Sequence, residues 1–127
     1  MITLSLLKFL ENNGYGTIDV DLFWQKLTLD KVGIYIADIG ETRLRGERKV
    51  QRYELYSRGS SDVDGYRRLQ DILDFLENNY VVCQLPSVGD ITNGFANVTI
   101  MPPSSISNNG LDTNGRIIYS ATGLLYY

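Results

Sequence analysis

Residues 49–79 constrain the chain most. Lys49-Val50-Gln51-Arg52-Tyr53-Glu54-Leu55-Tyr56 alternates in the strand manner, with Gln51, Tyr53 and Leu55 on one side and Arg52, Glu54 and Tyr56 on the other. Arg58-Gly59-Ser60-Ser61 then breaks the strand. Asp62 or Asp64 can cap a helix, meeting orphan N–H groups at the positive end of the dipole. Leu69, Ile72, Leu73 and Leu76 recur at helical spacing and form one apolar stripe. Asn78-Asn79 suits a helix end, and Tyr80 to Leu85 reads as a strand. Strand, tight turn, amphipathic helix and strand therefore follow each other within one segment. This order predicts an α+β fold: a mixed or antiparallel β-sheet packed with an N-terminal helix and this central helix.

The rest of the chain fits around that unit. Residues 3–13 predict a helix with Ile2, Leu6, Phe9 and Leu10 as its stripe and Asn13-Gly14 as its stop. Leu7 to Asn13 echoes Leu73 to Asn79, but the flanks differ, so shared helix-end chemistry explains the echo better than a repeat. Asp21 to Trp24 reads as a short strand, with Trp24 a core or interface anchor. Val32 to Ile39 reads as a strand with both faces covered. Gly40 to Arg48 is expected to be a charged loop closing a long hairpin with Lys49–Tyr56. Asn93-Gly94 suggests a tight turn before a strand at Phe95–Met101. A polar loop is expected from Pro102 to about Gly115, then a long last strand bent or bulged near Gly123. The terminal Tyr126-Tyr127 argues that this end of the chain is packed, either inside the fold or against a partner.

A chain of 127 residues, 43% of them apolar, is expected to form one domain spanning residues 1–127. No run approaches the roughly 20 apolar residues of a membrane span. Met1 to Leu7 lacks a basic leader and a small-residue cleavage site, so it does not read as a signal peptide. The single cysteine, Cys83, reads as a small core hydrophobe, in keeping with folding in the cytosol.

The chain has no histidine, which removes the commonest general base and the His-dependent nucleophile pairs and zinc sites. No P-loop, dinucleotide fingerprint or Cys-x-x-Cys occurs. Asp19 and Asp21 read as surface acids, and Asp112-Thr113-Asn114-Gly115 as a turn rather than a calcium loop. No catalytic, cofactor or metal residues are assigned, and an enzyme is not expected. The nine tyrosines fit either ordinary sheet composition or an interaction surface.

Charge is uneven. The net charge is −3, yet Glu41 to Arg52 carries five basic and two acidic residues. Arg43, Arg45, Arg48, Lys49 and Arg52 are therefore the candidate functional residues. They read either as a solvated hairpin tip or as a contact with nucleic acid or an acidic neighbouring subunit. The stretch lacks the interleaved aromatics of a single-strand binder, and a pI near 4.8 argues against a nucleic-acid-binding module.

The order of elements, with Val50-Gln51-Arg52-Tyr53-Glu54-Leu55-Tyr56-Ser57-Arg58-Gly59 leading into the helix and Asp112-Thr113-Asn114-Gly115-Arg116-Ile117-Ile118-Tyr119-Ser120 near the end, resembles the tail terminator proteins of long-tailed bacteriophages. Similar small chains are described as minor capsid or tail-completion proteins. The resemblance spans nearly the whole chain, apart from residues 86–111. It implies a homohexameric ring on the head-proximal end of the tail tube, which stops tube polymerisation and meets the head connector protein. Genomic DNA passes through such a ring without sequence-specific binding. The implied location is the virion tail, after assembly in the bacterial host cytoplasm, with no cofactor and no membrane. Another head-tail connector or a tail-tube-like subunit is the alternative within the same class. A ring needs two different complementary patches, and the five basic residues are a candidate for the subunit or tube contact.

Overall fold

Helix α1 (Ile2–Asn12) is buried on more than the one stripe expected of it. Ile2, Leu6, Leu7 and Leu10 are buried, and so are Thr3 and Ser5 between them. The reason is its setting in the computed structural model, which describes residues 2–26, 31–78, 82–86 and 95–127. The strands that follow are β1 (Leu22–Trp24), β2 (Gly33–Arg43) and β3 (Lys49–Arg58). Helix α2 (Asp62–Asn78) leads to β4 (Val82–Leu85), β5 (Phe95–Ile100), β6 (Ser107–Leu111) and β7 (Ile117–Tyr126). Among the described residues the sheet runs β1-β2-β3-β7-β5-β4, with β6 paired to β7 off this path. Helix α1 packs against β1 and β2 at one end of that order and against β4 at the other. The sheet therefore curls until its two margins reach the same helix.

The pairing is mixed, as expected: β1 and β2 are parallel, and every other pair is antiparallel. Strand β7 is flanked on both sides. Along one side it pairs with β3 from Ser57↔Tyr119 to Val50↔Tyr126. Along the other it pairs with β5 at Thr99↔Tyr126 and Ile100↔Leu125, then with β6 at Ser107↔Ser120 and Asn108↔Tyr119. Between these ladders Met101 and Ser104 donate backbone hydrogen bonds to Leu124 and Thr122. The expected polar loop at 102–115 is corrected accordingly. It follows β7, carries β6, and turns at Asp112–Gly115, because β7 offers its backbone groups along that whole margin.

Cross-strand register explains the core. Ile36, Leu55 and Ala121 lie abreast on one face, and Tyr53 and Gly123 lie next to each other on that face. Ile34, Ile36, Tyr53, Leu55, Ala121 and Leu125 are buried there. Leu69, Ile72, Leu73 and Leu76 of α2 are buried as their spacing predicts, against β3 and β7. Phe9 and Phe75 meet at 5.5 Å, so the two similar helix ends pack against one another. Asn13 Nδ2 donates to Phe9 O at 2.7 Å, which is helix-end chemistry. The other sheet face is not fully covered: Tyr35 and Ala37 are half-buried and Ile39 is exposed. Tyr35 and Tyr56 stack there at 4.5 Å, and Trp24 is half-buried with Nε1 donating to Thr3.

Local details correct two further expectations. Ser61, not Asp62 or Asp64, caps α2: its Oγ accepts the Asp64 N–H at 3.1 Å. Asp64 instead reaches back to the Ser60 N–H, and Asp62 accepts the Ile117 N–H at 3.0 Å, tying α2 to the start of β7. The turn between β3 and α2 brings Gly59 against Gly65, where a Cβ on Gly59 would lie 2.3 Å from the Gly65 nitrogen. Strand β7 has no register shift against β3 at Gly123. Its glycine answers a packing demand, since the Tyr53 ring occupies the space of a side chain. The Asn79 helix stop, the strand start at Tyr80 and Val81, the Cys83 side chain and the Asn93-Gly94 turn lie outside the described residues.

A Cβ on Gly123 would sit 2.4 Å from the Tyr53 ring carbon and hydroxyl. Gly123→Ala is therefore expected to destabilise the fold by about 1–3 kcal/mol or more in urea unfolding. Adding Tyr53→Leu should recover part of that loss, and an unchanged urea midpoint in Gly123→Ala would refute the packing account. The buried Tyr53 hydroxyl has no hydrogen-bond partner among the described residues. Tyr53→Phe should accordingly be neutral or stabilising in the same measurement.

Candidate functional site

The basic residues lie on and near the β2–β3 hairpin, which is longer in strand and shorter in loop than expected. Strand β2 continues through Gly40 to Arg43, and Arg43 pairs with Lys49. The expected loop at 40–48 thus contracts to Leu44–Arg48, because β3 supplies ladder partners to residues 40–43. One irregularity interrupts the ladder, between Asp38↔Tyr53 and Gly40↔Arg52, leaving Ile39 as the extra residue. The buried Gln51 side chain satisfies the backbone there, donating to Gly40 O at 3.0 Å and Arg52 O at 2.9 Å. At the tip, Leu44 N–H donates to Arg48 O, and Arg45–Glu47 form one short 3-10 turn in which Gly46 takes a φ of 74°.

The five candidates divide into three settings. Arg43, Arg45 and Arg48 are exposed at the tip. Lys49 is half-buried, with Nζ 5.9 Å from the centre of the Tyr127 ring. Arg52 points to the opposite sheet face, because it lies one residue from the buried Gln51 and Tyr53. There it lines an open groove of about 490 Å³ with Ile39, Met101, Pro102, Ser104 and Leu124. None of the five makes an ion pair among the described residues. The other basic side chains of the core region are used: Arg68 pairs with Asp21 at 2.7 Å, and the buried Arg58 meets Lys31 O and Asp112.

The end of the chain anchors the hairpin. Lys49 and Tyr127 exchange both backbone hydrogen bonds, Tyr127 OH donates to Glu41, and the Phe95 ring meets Tyr127 edge-on at 5.6 Å. Tyr127 is therefore packed, as its apolar character suggested. The Tyr127 hydrogen bond holds the Glu41 carboxyl below the usual range, with Lys49 and Arg43 adding to it against a smaller opposing effect of burial. Burial, then the Glu41 hydrogen bond, pushes the Tyr127 phenol up. Several described tyrosines also contact other rings or the core: Tyr15 meets Phe75, Tyr35 stacks on Tyr56, and Tyr53 is buried.

Two features escaped sequence reasoning. Leu44 is 42% exposed between two arginines at the tip, although its hydrophobicity suggested nothing beyond loop sequence. Val63 and Tyr66 are also exposed, on α2 but off its apolar stripe. Apolar residues outside a helix's buried stripe were the available signal. Among the described residues no helix is long and apolar enough to cross a membrane.

Among the described residues three carboxyls are held low in the folded state. Glu41 is one, and Glu11 is another, through Lys8 and the Ile18 N–H. Burial alone would raise Asp112, but the N–H groups of Arg116 and Asn114 and the Arg116 guanidinium outweigh it and lower the carboxyl. Depressed folded-state values mean that this stabilisation is present above the unfolded-state values and is lost as pH falls through the folded ones. The thermal midpoint is expected to drop on acidification below about pH 4. Asp112→Asn and Glu41→Gln should each shrink that drop, and an identical pH profile in both variants would contradict the assignment. No protein-family model matches the chain, and none of the curated proteins matches it by sequence.

Proposed function

We propose that this chain is a structural subunit of a long-tailed bacteriophage virion. In this reading it forms a ring on the head-proximal end of the tail tube, stops tube polymerisation and joins the tail to the head connector. The observation that carries the reading is the hairpin tip. Arg43, Arg45 and Arg48 are exposed there without an ion pair among the described residues, while α2 presents Asp71, Asp74 and Glu77 on its exposed face. Arg43 at the end of β2 and Arg45 and Arg48 on the turn leave the tip with a net positive charge even counting Glu47, which an acidic partner would complement. A ring interface joins two different patches, so separated basic and acidic surfaces suit it. The α+β fold is also the one the sequence resemblance implies. A tail-tube-like or connector subunit would use the same surfaces, with a different partner at the tip.

Light scattering over a concentration series, followed by mixing with isolated tail tubes, tests the proposal. The expected result is a hexamer, free or formed on the tube end, and tubes that no longer elongate. Arg45→Glu with Arg48→Glu should abolish ring or tube binding while leaving the unfolding free energy within about 0.5 kcal/mol of the parent, because both sites are exposed. A monomer that never associates with tubes would sink the proposal, and a salt-dependent DNA mobility shift by that monomer would favour a nucleic-acid-binding module instead.

A further inference from the structure

The tip of the hairpin and the first turns of α2 lie at opposite ends of the sheet. Along β3, Lys49 stands at the tip end and Ser57 at the other, with Tyr119 of β7 beside Ser57. Eight residue steps along the strand separate the two ends by roughly 27 Å. At the far end Asp62, Val63, Tyr66, Arg67, Asp71 and Tyr119 line a concave pocket of about 410 Å³. Its floor is aromatic, since Tyr66 and Tyr119 meet edge to face at 5.4 Å. Val63 is 65% exposed and Tyr66 46% exposed, so the apolar surface is open to solvent. Two carboxylates and one cation stand at the pocket. The tip carries the complement: one exposed leucine, Leu44, flanked by Arg43 and Arg45.

We propose that, within the assembly role proposed above, the hairpin tip of one copy docks into the Val63–Tyr66–Tyr119 pocket of the next. Leu44 fills the apolar floor, and Arg43 and Arg45 face Asp62 and Asp71 and stack on the tyrosine rings. The occupant is a second copy of this chain because the tip pairs an exposed leucine with flanking arginines and the pocket pairs an apolar floor with Asp62 and Asp71. They cannot meet within one copy, since the sheet holds them apart. A contact of this kind is head-to-tail, so it closes into a ring or continues as a stack according to the rotation between copies.

The test uses complementation between two full-length variants. Leu44→Asp spoils the knob and keeps the pocket, whereas Tyr66→Ala spoils the pocket and keeps the knob. Circular dichroism confirms that both fold. Each alone should assemble only at concentrations about tenfold or more above the parent chain. Mixed together they should form dimers and stop there, because one intact contact remains and both outer ends are dead. A parent chain that assembles while both variants assemble equally well would overturn this contact and leave the tube-capping reading standing. A parent chain that stays monomeric to millimolar concentration would overturn the contact too. The tube-capping reading then rests on the tail-tube experiment alone.

Discussion

The Tyr53 ring lying across Gly123 is the contact on which the other packing depends. It sits where β3 and β7 pair, at the centre of the sheet. A side chain on residue 123 would force the ring away and open the face on which Leu55, Ala121 and Leu125 are buried. That face carries α2, and the strands outside it curl around α1. The Tyr53 hydroxyl has no hydrogen-bond partner among the described residues, so the contact with Gly123 is one of shape.

A second consequence is that β7 serves three strands. Its margin away from β3 is long enough for β5, the Pro102–Ile106 connection and β6 in succession. Asp112 then secures the turn into β7, meeting the buried Arg58 and the backbone of Asn114 and Arg116. A surface hairpin thereby becomes tied to the same strand, β3, that carries the basic tip at its other end. The polar network organises the end of the sheet next to the α2 pocket, while the other end of the hairpin is held through Gln51, Lys49 and Glu41 to its own backbone and to Tyr127.

The candidate site was only partly legible. Charge counting found Arg43, Arg45, Arg48, Lys49 and Arg52, since composition along a segment needs no fold. It did not separate them, because separation depends on strand direction: Arg52 alternates onto the face opposite Gln51 and Tyr53, and Lys49 leans on Tyr127 from the far end of the chain. Leu44 drew no notice as a loop residue, and Val63 and Tyr66 gain meaning only beside Tyr119 of a strand more than fifty positions away.

The sequence by itself determined the α+β class, the two helices, the hairpin and the buried stripe of α2. These follow from periods of two and 3.6 residues and from capping chemistry, all of which act between neighbours in the chain. Tertiary structure decided the rest: the burial of α1 beyond its one stripe, the strand hidden in the polar 102–115 segment, the role of Gly123 and the placing of the hairpin tip and the α2 pocket at opposite ends. Each of these depends on which distant segment supplies a backbone edge or a ring. A local pattern carries no record of that choice, because the free energy that settles it comes from burying both partners together.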